Sequence, residues 1–297
     1  MEKRRSDVYR YIYKKPPFDD AVTIRDERWI DIVIIGLNGY GMEMLRAVLW
    51  FCQMDGFYLR VDVFDDASDI EERFAKLCPG VVERGYLPRM GEDYYDIHFH
   101  FPVETNMETL KAELVRLPET SRILIDTNDE AANLDLASSL KTFFEGSGRN
   151  VPRICAVSSR KDPTGTDTIG SAEEAGQDGK FPDDSLLEKA RALHSLSMDA
   201  ESFETNEYYR RSSIATAMHQ EFREKYVKDE ETRALTEHRR WCAYMRSTEG
   251  YRYGTRRDDR TKRHPSLTPY ANLSLIEKEK DRRLNRSDDT IGESQDT

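Results

Sequence analysis

The spacing of hydrophobic positions along the 297-residue chain predicts alternating strands and helices in its first half and helices alone in its second. DIVIIG (31–36) is a short β-branched run ending in glycine, which predicts a buried strand. GMEMLRAVLWFCQ (41–53) then carries Met44, Leu45, Val48, Leu49 and Cys52 at helical spacing. YLRVDVFDD (58–66) alternates and ends in acid, and DIHFHF (96–101) predicts a third strand. TNMETLKAELVRL (105–117) reads as an amphipathic helix started by Thr105 and stopped at Pro118. SRILID (121–126) predicts a fourth strand, 129–144 a helix ended by Gly146, and PRICAVSS (152–159) a fifth strand. Strands that alternate with helices form a parallel sheet covered on both faces, so the expected fold class is α/β, doubly wound. From about Asp184 the pattern is helical, predicting a small all-α domain.

The same pattern divides the chain. Residues 1–29 are polar, dotted with aromatics and broken by Pro16-Pro17, and read as an arm with one short edge strand at 21–24. The α/β domain spans 30–159. Residues 160–183 hold four glycines and few large apolar side chains, the composition of a flexible linker. A connecting helix at 184–202, the helical domain at 203–287 and a solvated tail at 288–297 complete the expected order.

Composition narrows the function classes. Charged residues make up 34% of the chain and mean hydropathy is -0.76, as for a core accompanied by disordered segments. No apolar stretch approaches the ~20 residues of a membrane span, and MEKRRSD has no apolar run behind it to make a secretory signal. Cys52, Cys78, Cys155 and Cys242 lack the spacing of a zinc site and read as reduced thiols of a cytoplasmic protein. A net charge of -11 argues against general nucleic-acid binding. Between Arg233 and Arg263, however, ten Lys/Arg face four Asp/Glu, leaving -17 on the remainder. Such a basic island is either a solvated helix face or a place for phosphates.

Two segments carry candidate chemistry. In IIGLNGYGMEML, Gly36, Gly39 and Gly41 follow a strand and open a helix, the context of a dinucleotide-binding turn. The first glycine permits the turn, the last permits close helix–strand packing, and the helix N-terminus offers free N–H groups to a pyrophosphate. Asp65 and Asp66, ending the second strand, stand where an acid takes a ribose hydroxyl. Asn38 departs from G-x-G-x-x-G at its middle position and is expected to project where backbone approaches phosphate. After the fourth strand, IDTNDEAANLDLASSL supplies Thr127, Asn128, Asp129 and Asn133. With Gly36 and Gly41, this pattern over residues 30–158 resembles the Rossmann nucleotide-binding domains that regulate potassium transport. That resemblance implies NAD or another adenine nucleotide as cofactor; the plain alternative for Asn128 and Asp129 is helix capping.

The second segment, 237–283, resembles the ryanodine-receptor repeat domain, of the single-copy bacterial and phage type. His238, Trp241, Gly250, Tyr253 and Gly254 match its first part. Lys262, His264, Pro265, Leu267, Pro269 and Tyr270 match the second, and Leu273, Glu277, Lys278, Asp281 and Arg282 the third. Tyr251 stands where the family has tryptophan, and the helix at 211–226 resembles one upstream in the single-copy forms. His238, Trp241 and Met245 share one helix face by spacing. Trp241, Leu267 and Leu273 read first as core. Arg239, Arg240, Arg252 and Lys262, with Tyr253 and Tyr270, are the expected ligand face, offering aromatics to a base and cations to phosphate. The resemblance implies recognition of a small nucleotide-like ligand.

No G-x-S-x-G, P-loop or HExxH is present. His98 and His100 face one side of the third strand without a third metal ligand nearby in sequence. The expectation is therefore a non-catalytic nucleotide sensor, a homodimer without metal, membrane or direct nucleic-acid contact, relaying its ligand by domain rearrangement. Alternatives are a NAD-dependent oxidoreductase using His219 or His238 as acid/base, and a ligand-free scaffold.

Overall fold

The computed structural model describes residues 3–85, 93–100, 107–162, 164–171 and 180–286. The expected helix start at Thr105, most of the glycine-rich stretch after Ser171 and the tail at 288–297 lie outside them.

Six strands are parallel: β2 (Glu27–Ile35), β3 (Phe57–Phe64), β4 (Ile97–His100), β5 (Arg122–Ile125), β6 (Arg153–Val157) and β7 (Asp167–Ile169). They lie in the order β4-β3-β2-β5-β6-β7. A seventh strand, β1 (Val22–Ile24), runs antiparallel to the start of β2, pairing Val22 with Trp29. The chain winds outward from β2 in both directions, so the order reverses between β2 and β5. Loops at the carboxyl ends of these two strands diverge there and leave a crevice.

Period-two alternation in β2 feeds two cores. Val33 and Ile35, with Ile123, Ile125, Ile154 and Ala156, pack under α5 (Met107–Arg116) and α6 (Glu130–Ser147) through Leu110, Leu114, Leu140 and Phe144. Ile30, Ile32 and Ile34 face the other way, under α2 (Gly39–Phe51), where Leu45, Val48, Leu49 and Trp50 are buried. Gly39, Tyr40, Glu43 and Arg46 are half-buried and the rest of α2 is buried.

The opening segment is a helix rather than an arm: α1 (Lys3–Lys14) buries Val8, Tyr9 and Ile12, and Tyr9 meets Trp50 edge-on at 5.3 Å. Its apolar stripe is narrow, and the arginines and lysines around it hide the period. In the segment expected to be a structureless linker, β7 extends the sheet. Lys15 and Arg153 hold its Asp167, and Thr168 and Ile169 are buried.

After two short helices, α3 (Ile70–Leu77) and α4 (Pro79–Arg84), the second half supplies α7 (Asp184–Ser195), α8 (Ala200–Thr205), α9 (Glu207–Tyr226), α10 (Glu230–Ser247) and α11 (Leu275–Arg283). The two-residue strands β8 (Arg252–Tyr253) and β9 (Arg263–His264) pair in the loop before α11. Each helix from α6 onward begins at an Asp, Asn or Ser whose side chain accepts an N–H of the first turn: Asp129, Asp183, Asp199, Asn206, Asp229 and Ser274. Such caps stabilise a helix by about 1 kcal/mol each. The helical half lies directly on α2. Met218, Phe222, Ala243 and Met245 join Ile30, Val48, Trp50 and Phe51 in one continuous buried cluster.

Candidate functional site

The crevice between β2 and β5 opens into a cavity of about 690 Å³. Six of the nine residues expected at a nucleotide site line it: Gly36, Asn38, Asp65, Asp66, Thr127 and Asn128. The other three stand behind it. Gly41 packs against Gly36, whose carbonyl a Cβ would strike; Gly39 lies under the Arg4 guanidinium. Gly36 itself has φ +85°, and a Cβ there would collide with the Asp126 carbonyl, so both turn and packing require glycine. Asn133 anchors the loop after β5, accepting from Thr127 N (2.8 Å) and Thr127 Oγ1 (2.7 Å) and donating to the Val157 carbonyl (2.9 Å). Asn128 adopts φ 68°, a conformation asparagine tolerates, and Asp129 caps α6.

Asp126, the last acid of ILID, was not singled out in the sequence, yet it organises the site. Its Oδ2 accepts from both Tyr40 N and Gly41 N, at 2.9 Å each, at the N-terminus of α2. Burial raises its pKa, and the N–H groups of Gly41 and Tyr40 oppose that rise. Asn38 lines the cavity, but its side-chain amide is tied back to the chain. Its Nδ2 donates to the Asp126 carbonyl at 2.5 Å. Asp65 is also engaged by the chain: Oδ2 accepts from Leu37 N (2.6 Å) and Oδ1 from Ala67 N (2.9 Å). The exposed acid beside it is Asp66. Arg73 donates to the Leu37 carbonyl at 3.3 Å and, among the described residues, is the cation of the lining.

The six residues expected to form a ligand face in the second segment are spread over different surroundings. Arg240 is fully buried, its Nε 2.9 Å and Nη2 2.7 Å from Glu237, with Arg223 2.6 Å away on the same carboxylate. Burial works to raise the Glu237 pKa, and Arg240 and Arg223 outweigh it and hold it low. Arg239 lies over the Tyr94 ring, Arg252 pairs with Glu83 at 2.9 Å, and Tyr270 is buried with its hydroxyl 3.2 Å from Glu231. Tyr253 is 52% exposed, and Lys262 caps the Tyr251 ring at 4.7 Å. Tyr251, in place of tryptophan, is buried and donates to Asp259 at 3.0 Å.

A different set meets instead. Tyr208 and Tyr209 from α9, His238 and Trp241 from α10, and Arg257 and His264 from the loop line a cleft of about 220 Å³. His238 stacks on Trp241 at 5.9 Å, and His264 meets that indole edge-on at 5.1 Å. The spacing of His238 and Trp241 marked this face; Tyr208 and Tyr209 could have been found from their place in the first turn of α9.

His219, weighed as an acid/base, is fully buried, and burial followed by Arg223 and Arg240 pushes its pKa well below the usual range. His238 is fixed at both ring nitrogens, donating from Nε2 to the Thr268 carbonyl (2.8 Å) with Nδ1 3.5 Å from Asp281. His219 Nδ1 meets Arg223 at 3.1 Å and its unpartnered Nε2 is sealed inside the fold, so neither ring offers a nitrogen to a cofactor. His100 bonds Asp62 and His98 bonds Asp96, each at 2.7 Å. Among the described residues no three metal-binding groups stand together, and no helix is long and apolar enough to cross a membrane. The four cysteines are buried and unpaired with one another.

Fold and site together define an α/β protein with a ligand-sized crevice at the reversal point of its sheet and a helical region packed on its central helix. Within that helical region, residues 216–291 match the family model of the RyR domain. Comparison with curated proteins and with solved structures gives no match.

Proposed function

We propose that the protein is a non-catalytic sensor of a nucleotide-like small molecule bound at the carboxyl edge of its sheet. The observation that carries this reading is the 690 Å³ cavity, in the volume range of small-molecule sites, at the point where strand order reverses. The engagement of His219 and His238 in internal bonds favours binding over oxidoreductase chemistry. The relay in this reading is α2: its first turn borders the site and its flank carries the RyR-type region through Arg46, which donates to the Ser247 and Thr248 carbonyls at 2.8 and 2.5 Å. Four buried, unbridged thiols accord with a reducing, cytoplasmic setting.

Thermal unfolding with a panel of nucleosides, nucleotides and dinucleotides tests it. A ligand at a hundredfold over its Kd stabilises by about 2.7 kcal/mol, a shift of a few degrees at this size. The shift should shrink in Asp66→Asn, which alters the exposed acid of the lining. A flat panel would leave the scaffold reading as the better one.

A further inference from the structure

We infer that the cavity at the sheet reversal selects ligands that carry no phosphate where they meet α2, a nucleoside-type molecule, neutral or cationic, with Asp126 standing in the phosphate's place. This rests on the proposed function and narrows it to one chemical class.

The first observation is where the anion-binding groups have gone. A helix N-terminus binds phosphate through free N–H groups and its partial positive charge. Here the N–H groups of Tyr40 and Gly41 already converge on one carboxylate oxygen of Asp126, and the Leu37 N–H on Asp65. Asn38, between them, is turned back onto the Asp126 carbonyl. The turn has the glycines of a phosphate loop, but three of its donors, at Leu37, Tyr40 and Gly41, are held by two aspartates of the same chain.

The second observation is the charge of the lining. Among the described residues four aspartates, Asp65, Asp66, Asp129 and Asp135, line the cavity against one cation, Arg73. A phosphate placed here meets repulsion together with a helix terminus whose Tyr40 and Gly41 N–H groups are already taken by Asp126. Sugar hydroxyls and amines meet the opposite case. Asp66 and Asp135 are exposed acceptors suited to both, and Phe64, Met107, Leu110 and Leu136 give a flat ring an apolar wall.

Titration calorimetry on the full chain with matched pairs tests this: adenosine and AMP, guanosine and GMP, cytidine and CMP, uridine and UMP. In the pair that binds, the nucleoside should be tighter than its 5′-phosphate by about tenfold or more. Asp126→Ala, which frees both α2 N–H groups, should bring the monophosphate level with the nucleoside or past it. Should that variant not fold, Asp66→Asn/Asp135→Asn keeps the turn intact and, whatever both ligands lose at the sugar, should narrow the nucleoside's lead over its monophosphate about fivefold by removing like charge. A monophosphate that binds wild type as tightly as its nucleoside overturns the selectivity and leaves the sensor reading in place. Silence from every pair overturns both.

Discussion

Asp31 shows how much a single residue can be asked to tolerate. It sits in the middle of β2, nearly fully buried, and neither carboxylate oxygen has a hydrogen-bond partner among the described residues. Burial raises its pKa to about 7; Arg60, its cross-strand neighbour, opposes the rise, and Asp62 and Asp96 add to it. An acid whose pKa is higher folded than unfolded holds extra protons in the folded state. Stability is therefore full below about pH 4 and declines as pH rises towards 7. Asp31→Asn removes that decline. Urea unfolding at pH 5 and pH 8 should show the variant gaining ~2 kcal/mol on wild type between the two, since each pKa unit is worth about 1.4 kcal/mol. Parallel profiles would mean that the folded protein ionises Asp31 without cost. At this scale the sequence was readable where a residue's task is local. Gly36 and Gly41 are dictated by a turn and a contact five residues apart. Asp126 was not readable, because its partners Tyr40 and Gly41 lie more than eighty residues away. Arg240 looked available for a ligand because nothing in the spacing of α10 shows which of its sides the chain will bury.

Among the elements, the alternating units were legible because each is a full strand or a two-faced helix with its own stop signals. Among those that escaped, with α3, α4, β8 and β9, are α1 and β7, which are short or sparsely apolar and owe their existence to tertiary contacts. Three buried side chains, Val8, Tyr9 and Ile12, fix α1 to the core, and three residues make β7, docked on β6. Tertiary burial outweighs propensity in such cases. The dependence can be measured. Ile12→Ala should cost ~2–4 kcal/mol by chemical denaturation, as for other large-to-small changes in packed interiors. Leu275→Ala, at a position 76% exposed on α11, should stay within about 0.5 kcal/mol. Equal small losses would mean that α1 is laid on the surface rather than packed into it.

Across the whole molecule, the sequence separated an α/β half from a helical half correctly in kind, but the composition of 160–183 suggested a looser join than the buried cluster displays. The apolar face that α9 and α10 turn towards α2 is not marked as an interface by any local pattern; to periodicity it is one more buried helix face. Because Met218, Phe222 and Met245 share a core with Trp50 and Phe51, the chain should unfold in one calorimetric transition, with van't Hoff and calorimetric enthalpies agreeing. Two resolved transitions would show that the halves melt independently. The enclosure of α2 has a further consequence, in time rather than energy. Its amides are bonded within a helix wrapped by the sheet, α1 and α10, and small openings at the periphery leave them untouched. In deuterated water the peptide spanning Gly39–Phe51 should be the last to exchange, its rate set by whole-molecule opening. That peptide is a built-in clock: whatever slows it has stabilised the entire fold, and whatever quickens it alone has pried at the central helix.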